Sequence, residues 1–208
     1  MRRQQLEIAL SHLKPSPSPQ LTYEAYDLDP SSAAEVLFQA ESRYGDVKDH
    51  TVLDLGCGSG ILAIGAALMG AEIVVGVDIN VDSVEMARTN AALSGASVHL
   101  VAGDIEAVRG PLDVTIMNPP FGTRLRGIDV TFLRKAMSVS ALVYSLHKSG
   151  EQNRVFLRNI VEKLGGEVDA IFNMELEIPR TYEFHTKKRY QVKVDLYRVI
   201  SSVQPEER

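Results

Sequence analysis

From Thr51 onward, the sequence alternates between short apolar runs and longer segments whose apolar residues recur at helical spacing. Short apolar runs bounded by glycine or polar residues are typical of buried strands, and three- and four-residue spacing indicates amphipathic helices. Parallel strands need long crossover connections, which the intervening helices supply. The alternation therefore predicts an α/β fold with a mostly parallel sheet that is covered by helices on both faces.

The apolar runs predict seven strands, at residues 51–55, 72–77, 97–101, 113–117, 141–145, 168–178 and 191–200. Helical spacing predicts helices at residues 59–69, 81–93 and 151–164, and each has a glycine within two residues of its end that can stop a helix. The last two strands are the longest, and a polar, basic loop joins them.

The chain before residue 51 has a different organisation. Leu6, Leu10 and Leu13 predict a short amphipathic helix, and the run Pro15-Ser-Pro-Ser-Pro19 is typical of an extended linker. A second helix is predicted from Pro30 to Tyr44, with proline in its first turn. We expect an N-terminal arm with its linker at residues 1–29, one domain at residues 30–200 and a C-terminal tail at residues 201–208.

Composition excludes several other classes of protein. The 208 residues are 45% hydrophobic and 24% charged, which is ordinary globular usage and argues against collagen-like, coiled-coil or disordered chains. Cys57 is the only cysteine, so we expect neither a disulfide framework nor a cysteine-cluster zinc site. The longest charge-free stretch, residues 55–71, is shorter than the roughly 20 residues a bilayer requires, and no signal peptide is recognisable. We expect a soluble cytoplasmic protein.

Charge is unevenly distributed along the chain. Residues 1–118 contain 7 Lys and Arg against 16 Asp and Glu, whereas residues 119–208 contain 15 against 11. A basic second half suggests an anionic partner, although solvated faces of uneven charge would give the same count.

The run Val52-Leu-Asp-Leu-Gly-Cys-Gly-Ser-Gly60 passes directly from the first predicted strand into a helix. Its glycines permit a tight turn, and the start of the helix offers free N–H groups to a ligand. Asp78, which is 18 residues beyond Gly60, ends the second strand, and Asp104 follows the third. A carboxylate at the end of the second strand can accept hydrogen bonds from both ribose hydroxyls, and Asp104 would lie near an adenine amine. The sequence predicts a nucleoside-containing cofactor.

The acid in front of the glycines distinguishes between cofactors. Asp54 would repel the pyrophosphate of a nicotinamide dinucleotide, but it would attract the ammonium group of an amino acid. The loop resembles motif I of the class I S-adenosylmethionine methyltransferases, and the resemblance covers residues 51–105. It implies a Rossmann-like fold, S-adenosylmethionine as cofactor with S-adenosylhomocysteine as product, and cofactor contacts from Asp54, Gly56, Gly58, Ser59, Gly60, Ile61, Asp78, Ile79, Asp104, Ile105 and Asn118. Cys57 is interpreted as a small side chain packed beneath the turn, since no His or Cys is its neighbour in sequence.

The fourth strand leads into Asn118-Pro-Pro-Phe121. Two prolines fix an extended turn and remove backbone donors, which leaves the Asn118 side-chain oxygen and the Pro119 carbonyl as acceptors for the two N–H bonds of a planar amine. Phe121 can stack on the ring that carries this amine. The motif resembles that of amino-methyltransferases acting on adenine N6 or glutamine N5, and this resemblance implies that Asn118, Pro119, Pro120 and Phe121 form the catalytic site.

A closer resemblance covers nearly the whole chain. The runs Ile116-Met-Asn-Pro-Pro-Phe-Gly-Thr123, Val143-Tyr-Ser-Leu-His-Lys148 and Val194-Asp-Leu196 are similar to the N6-adenosine methyltransferases of eukaryotic small-subunit ribosomal RNA and their archaeal relatives. In that family a Glu-Gln-Tyr segment closes over the cofactor. Here the segment is Tyr23-Glu-Ala-Tyr26, so the resemblance implies cofactor contacts from Glu24 and Tyr26, while Ala25 departs from the pattern.

An adenosine in RNA must be single-stranded or flipped out to reach the acceptors, and cations near the site would hold its phosphates. Basic and aromatic residues follow the motif and fill the loop between the last two strands. Arg134 and Lys135 add two further cations after the motif. The expected substrate-binding residues are Phe121, Arg124, Arg126, His147, Lys148, Arg180, Phe184, Lys187 and Lys188. His147 could serve as a general base or as a structural histidine.

Two other functions stay open. A glutamine methyltransferase acting on a translation factor would use the same acceptors, and a cofactor-binding scaffold would use only the glycine loop. Methyl transfer in line needs no metal, so we expect none.

The resemblance also implies a partner, because family members pair a small zinc-binding activator protein with the edge strand predicted at residues 97–101. Alternatively, an arm or loop of the same chain covers this edge.

Overall fold

A computed structural model describes residues 1–16, 28–120, 127–179 and 189–203. Its helices are α1 (Arg3–Leu10), α2 (Pro30–Tyr44), α3 (Ile61–Leu68), α4 (Val81–Ser94), α5 (Ile128–Val139) and α6 (Glu151–Lys163). Its strands are β1 (Thr51–Leu55), β2 (Ile73–Asp78), β3 (His99–Ala102), β4 (Leu112–Met117), β5 (Ser140–Lys148), β6 (Glu167–Pro179) and β7 (Arg189–Ile200). A short 3₁₀ helix covers Ile105–Ala107.

The strands form one sheet in the order β3-β2-β1-β4-β5-β7-β6. Neighbouring strands from β3 through β5 pair in parallel, and β7 is antiparallel to both β5 and β6. The predicted mostly parallel, seven-stranded sheet is therefore confirmed. The strand order reverses between β1 and β4, and ligands of such open sheets bind at the carboxyl ends of the strands at this point.

Some element bounds differ from the prediction. The third strand covers His99–Ala102 instead of residues 97–101, and the helix after the glycine loop begins at Ile61 instead of residue 59. Helix α5 was not among the predicted elements. Its Val130, Thr131 and Val139 are β-branched, which weakens a helical pattern, but its buried face is made of Leu133, Lys135, Ala136, Met137 and Val139.

Local sequence explains where two of the helices begin and end. The Asp29 carboxylate accepts a hydrogen bond from the Ser32 amide at 3.0 Å and caps α2, whose first residue is Pro30. Asn80 caps α4 in the same way. Gly45 and Gly95 follow these two helices with φ angles of 71° and 68°, the left-handed conformation that ends a helix without strain only for residues such as glycine.

The sheet separates two apolar clusters. One packs against α1, α2 and α3, and the other packs against α5 and α6. Leu6 and Leu10 of α1 are buried in the first cluster, so the helix of the N-terminal arm is part of the core. Burial of one such leucine contributes about 1.5–3 kcal/mol to folding.

A buried polar network joins α2 to the antiparallel strands. Asp46, just after α2, accepts hydrogen bonds from the Tyr144 hydroxyl at 2.6 Å and from Arg198 Nε at 2.8 Å. Arg198 also donates to Asp169 at 3.0 Å and covers the Tyr44 ring. Burial and the neighbouring Asp46 raise the pKa of Tyr144, so it is a permanent donor here. Because both charges of the Asp46–Arg198 pair are buried, loss of either partner would be strongly destabilising.

A second network lies on the opposite face of the sheet. Asp195 of β7 is fully buried and accepts two hydrogen bonds from Arg154 of α6, at 2.7 and 3.0 Å, and one from Asn173 of β6. Burial alone would raise the pKa of Asp195, but these donors hold it below its ordinary value.

In the described part of the chain, no helix has the length and apolar character needed to cross a membrane.

Candidate cofactor and acceptor site

The glycine loop lies between β1 and α3. Gly56 and Gly60 have φ angles of 79° and 85°, and a Cβ on Gly56 would come within 2.8 Å of the Phe132 ring. The amides of Gly56 and Cys57 donate to the Val77 carbonyl of β2 at 2.8 and 3.0 Å, which ties the turn to the neighbouring strand. Cys57 is buried, in agreement with a packed side chain. Only glycine allows this turn to pass so close to α5.

Asp54 lies inside β1 with 2% of its surface exposed. One of its oxygens accepts a hydrogen bond from the Ala63 amide of α3 at 2.9 Å. Burial raises the pKa of Asp54 to about 7, and the nearby charge of Asp78 adds to the effect, while the bond from Ala63 opposes it. A buried carboxyl with so high a pKa favours a bound cation, since a cation would compensate its lost hydration. This fits the ammonium group predicted from the sequence.

Asp78 ends β2, and its carboxylate is fixed by the backbone around it. One oxygen accepts from the Gly58 amide at 2.8 Å and the other from the Asn80 amide at 2.9 Å. Each carboxylate oxygen can accept more than one hydrogen bond. The acid is therefore oriented beside the glycine loop and still has acceptor capacity for two hydroxyl groups.

Asp104 follows β3 at the same edge of the sheet. It is exposed, and its carboxylate accepts from the Glu106 amide at 2.9 Å at the start of the 3₁₀ helix. The side chain of Ile79 is 57% exposed, and Ile105 is half-buried against the second apolar cluster. The predicted cofactor residues thus follow three adjacent strands in the order β1, β2 and β3, as the sheet register requires.

Asn118 is the residue directly after β4. Because Asp54 and Ile116 are register partners in β1 and β4, Asn118 lies at the same sheet edge as the glycine loop. Asn118 and Pro120 are half-buried, and Pro119 is buried. The predicted acceptor motif is therefore adjacent to the predicted cofactor loop.

The predicted residues of the substrate site are only partly within the described residues. Two residues of the cofactor lid lie outside them, Glu24 and Tyr26. So do seven residues of the substrate site: Phe121, Arg124, Arg126, Arg180, Phe184, Lys187 and Lys188. Lys148 is exposed at the end of β5, and Arg134 is exposed on α5. Lys135 does not provide the expected free cation, because its side chain is 9% exposed and lies 3.9 Å from a carboxylate oxygen of Glu106.

His147 is buried on β5, two residues beyond Ser145, the register partner of Met117. Its Nε2 atom is 2.8 Å from the Ser145 hydroxyl, and its Nδ1 atom is 3.7 Å from the Asp129 carboxylate. Interaction with His147 lowers the pKa of Asp129. Both ring nitrogens face polar groups of the chain, which favours a structural histidine over a general base.

Sequence reasoning missed two side chains near the site. Asp129 lies in the first turn of α5, where it contacts His147. Asn90 is fully buried on α4 and donates to the Ser59 carbonyl of the glycine loop at 3.0 Å. In the sequence, Asn90 differs only as a polar residue on the inner face of a predicted helix. That feature does not show that its partner is the Ser59 carbonyl.

Asp54 in front of the glycine loop and Asn118 behind β4 lie at one edge of a Rossmann-like sheet. This combination defines the chain as a class I methyltransferase. Among the described residues, no cluster of three or more His, Cys, Asp or Glu side chains could hold a metal ion.

Comparison with known proteins agrees with this class. Residues 36–119 match the family of ribosomal protein L11 methyltransferase. The rRNA N(6)-adenosine-methyltransferase METTL5 of Danio rerio is 33% identical, over 95% of this chain and 98% of its own. The crystal structure of PH1948 from Pyrococcus horikoshii superposes with a TM-score of 0.89 at 34% identity, covering 98% of this chain and 99% of that one. By contrast, MJ0928 of Methanocaldococcus jannaschii, named as a protein N5-glutamine methyltransferase, matches 36% of this chain. The chain belongs to the METTL5 family of rRNA N6-adenosine methyltransferases.

Proposed function

We propose that this chain transfers a methyl group from S-adenosylmethionine to the N6 amine of an adenosine in RNA, and that the RNA is small-subunit ribosomal RNA. The observation that carries the proposal is the location of Asn118-Pro-Pro beside the glycine loop in a chain whose full-length relatives are named for this activity. A glutamine amide could use the same acceptors, but the match to the glutamine enzyme covers a third of the chain.

The residues around the loop fit the cofactor. The buried Asp54 carboxyl, with its pKa near 7, suits the ammonium group of the methionine moiety. Asp78 has acceptor capacity for the ribose hydroxyls, and the exposed Asp104 suits the adenine amine. When bound, S-adenosylmethionine supplies an electrophilic methyl group on a sulfonium.

The chain's contribution to chemistry is to orient the amine. The Asn118 oxygen and the Pro119 carbonyl accept the two N–H bonds of N6, which directs the nitrogen lone pair away from the ring system and toward the methyl group. With the cofactor bound, the N–C bond would form as the C–S bond of the sulfonium broke, and N6 would then lose one proton to solvent. Such preorganised acceptors act by electrostatic stabilisation and alignment.

A direct test uses the full chain with radiolabelled S-adenosylmethionine and either total ribosomal RNA or a release factor as acceptor. Label in RNA that appears as N6-methyladenosine after nucleoside digestion supports the proposal. Label in the release factor alone would assign the glutamine reaction, and label in neither would favour a scaffold. The variant Thr89→Ala, on the exposed face of α4, serves as a control that should keep full activity.

The second part of the proposal concerns the edge strand β3. We propose that a small zinc-binding activator protein docks on this strand by strand addition. Val101 is 48% exposed and β3 carries no Lys or Pro, so little in its sequence opposes pairing. Arg88 of α4 donates to the Leu100 carbonyl at 2.9 Å, so part of the strand already has a partner within the chain. Leu100 is half-buried and packs against the first apolar cluster, whereas Val101 can be changed without disturbing the core.

A further inference from the structure

Asn90 joins three segments that are far apart in sequence. Its side-chain oxygen accepts from the Lys14 amide at 2.9 Å, and its side-chain nitrogen donates to the Lys14 carbonyl at 2.8 Å and to the Ser59 carbonyl at 3.0 Å. Lys14 belongs to the N-terminal arm, 76 residues away, and Ser59 belongs to the glycine loop. The Asn90 side chain thus forms hydrogen bonds with the N–H and the carbonyl of Lys14 in the arm and with the carbonyl of Ser59 in the loop.

The position is also tightly packed. Asn90 has no exposed surface, and the buried face of α4 on which it lies includes Ala87. A Cβ on Gly60 would be 3.0 Å from the Ala87 side chain, so α4 lies directly against the turn. Loss of a hydrogen bond at a buried position leaves its partners unsatisfied, which makes the contact costly to break.

We propose that Asn90 is a positioning residue that holds the glycine loop and the N-terminal arm in fixed relation, so that the arm contributes to cofactor affinity. This inference rests on the proposed function, which identifies the ligand as S-adenosylmethionine. The arm is attached at two points, because Leu10 is buried in the cluster that includes α3 and Lys14 bonds to Asn90 of α4. Without the Asn90 amide, the Ser59 carbonyl and the arm backbone lose the group that connects them.

The test uses Asn90→Asp in the full chain. Aspartate has the same shape and can still accept from the Lys14 amide, but its second oxygen cannot donate to both the Lys14 and the Ser59 carbonyl. We expect S-adenosylmethionine to bind roughly 10- to 100-fold more weakly by calorimetry, the range for losing buried hydrogen bonds. Methylation at saturating cofactor should keep its kcat, because the acceptor motif is untouched, while the KM for cofactor rises.

Two controls separate positioning from general destabilisation. Lys14→Ala changes the side chain but keeps both backbone bonds to Asn90, so cofactor affinity should be unchanged. Val161→Ala, on the buried face of α6 in the other apolar cluster, should lower the melting temperature without changing the affinity. An Asn90→Asp variant that binds cofactor as tightly as the wild type overturns the inference.

Hydrogen exchange makes the test independent of the reaction. In the protein without cofactor, Asn90→Asp should speed exchange in the glycine loop, because the Ser59 and Lys14 carbonyls no longer share a donor, and Lys14→Ala and Val161→Ala should not. Unchanged exchange in the glycine loop refutes the positioning role even if methylation is confirmed. A wild-type chain that binds no S-adenosylmethionine refutes the proposed function, and the exchange measurement still decides whether Asn90 couples the arm to the loop.

Discussion

Asp54→Asn replaces a buried ionisable group by a neutral group of the same shape. The asparagine oxygen can still accept from the Ala63 amide, which is 2.9 Å from the carboxylate. Burial raises the pKa of Asp54 from 3.8 to about 7. Between these two pH values, the folded chain therefore keeps a proton that the unfolded chain has released, and wild-type stability falls as the pH rises.

The size of this effect follows from linkage. One pKa unit corresponds to about 1.4 kcal/mol, so the shift of Asp54 amounts to roughly 4 kcal/mol of lost stability above pH 7. At pH 5 only roughly 2 kcal/mol has been lost, because that pH is just over one unit above the unfolded pKa and the folded carboxyl still holds its proton. The stability advantage of the Asn variant over the wild type should therefore grow by roughly 2–3 kcal/mol between pH 5 and pH 8.

The assay is urea unfolding of both proteins without cofactor at pH 5 and pH 8, with the difference in unfolding free energy compared between the two pH values. S-adenosylmethionine affinity is measured in parallel and should fall by about 1.5–3 kcal/mol, since the ammonium loses its charged partner. A stability difference that is the same at both pH values would refute the raised pKa. A variant that is more stable and binds as tightly as wild type would refute the ammonium contact.

Four further predictions concern single positions. Asp78→Ala should weaken S-adenosylmethionine binding by about 1.5–3 kcal/mol in calorimetry, and unchanged affinity would exclude the ribose contact. Asn118→Ala should leave cofactor affinity within a few-fold but slow RNA methylation by roughly a hundredfold, and a normal rate would mean that the acceptor lies elsewhere. His147→Asn keeps a donor near Asp129 and His147→Gln keeps the Ser145 contact, so each should lower the melting temperature but leave kcat within a few-fold, and a large loss of kcat in both variants would refute the structural role. Val101→Lys should abolish co-purification with a zinc-binding activator protein while leaving the melting temperature unchanged, and an intact complex would exclude β3 as the docking edge.

The sequence predicted the sheet, and it predicted which residues meet at one of its edges, because both depend on local patterns. Apolar runs between helical segments define the strands, and the carboxyl ends of neighbouring strands bring Asp54, Asp78 and Asn118 to one edge. The sequence also led to the prediction that Asp54 distinguishes between cofactors. It could not give the raised pKa of Asp54, because that shift depends on how completely the surrounding strands and α3 bury the carboxyl.

Contacts between distant residues were beyond prediction. Asn90 and Lys14 are 76 residues apart, and Tyr144 and Asp46 are 98 apart, so no local pattern connects them. Lys135 was expected to face RNA, but a lysine with a long apolar stem can pack along α5 while its amine reaches Glu106. A basic residue that is close in sequence to a site is therefore not necessarily available to bind RNA.

The position of β7 in the sheet has a consequence for the order in which the chain folds. During synthesis β1 to β5 emerge first and can pair with one another, but the outer edge of β5 has no partner until β7 is complete. Because β7 pairs on its other side with β6, the two strands must enter as one hairpin. Until then an unpaired strand edge is exposed, which is the type of intermediate that aggregates and that chaperones bind. Ribosome-bound chains that stop after residue 148 should therefore be protease-sensitive and associate with chaperones, and chains that include residue 200 outside the exit tunnel should not.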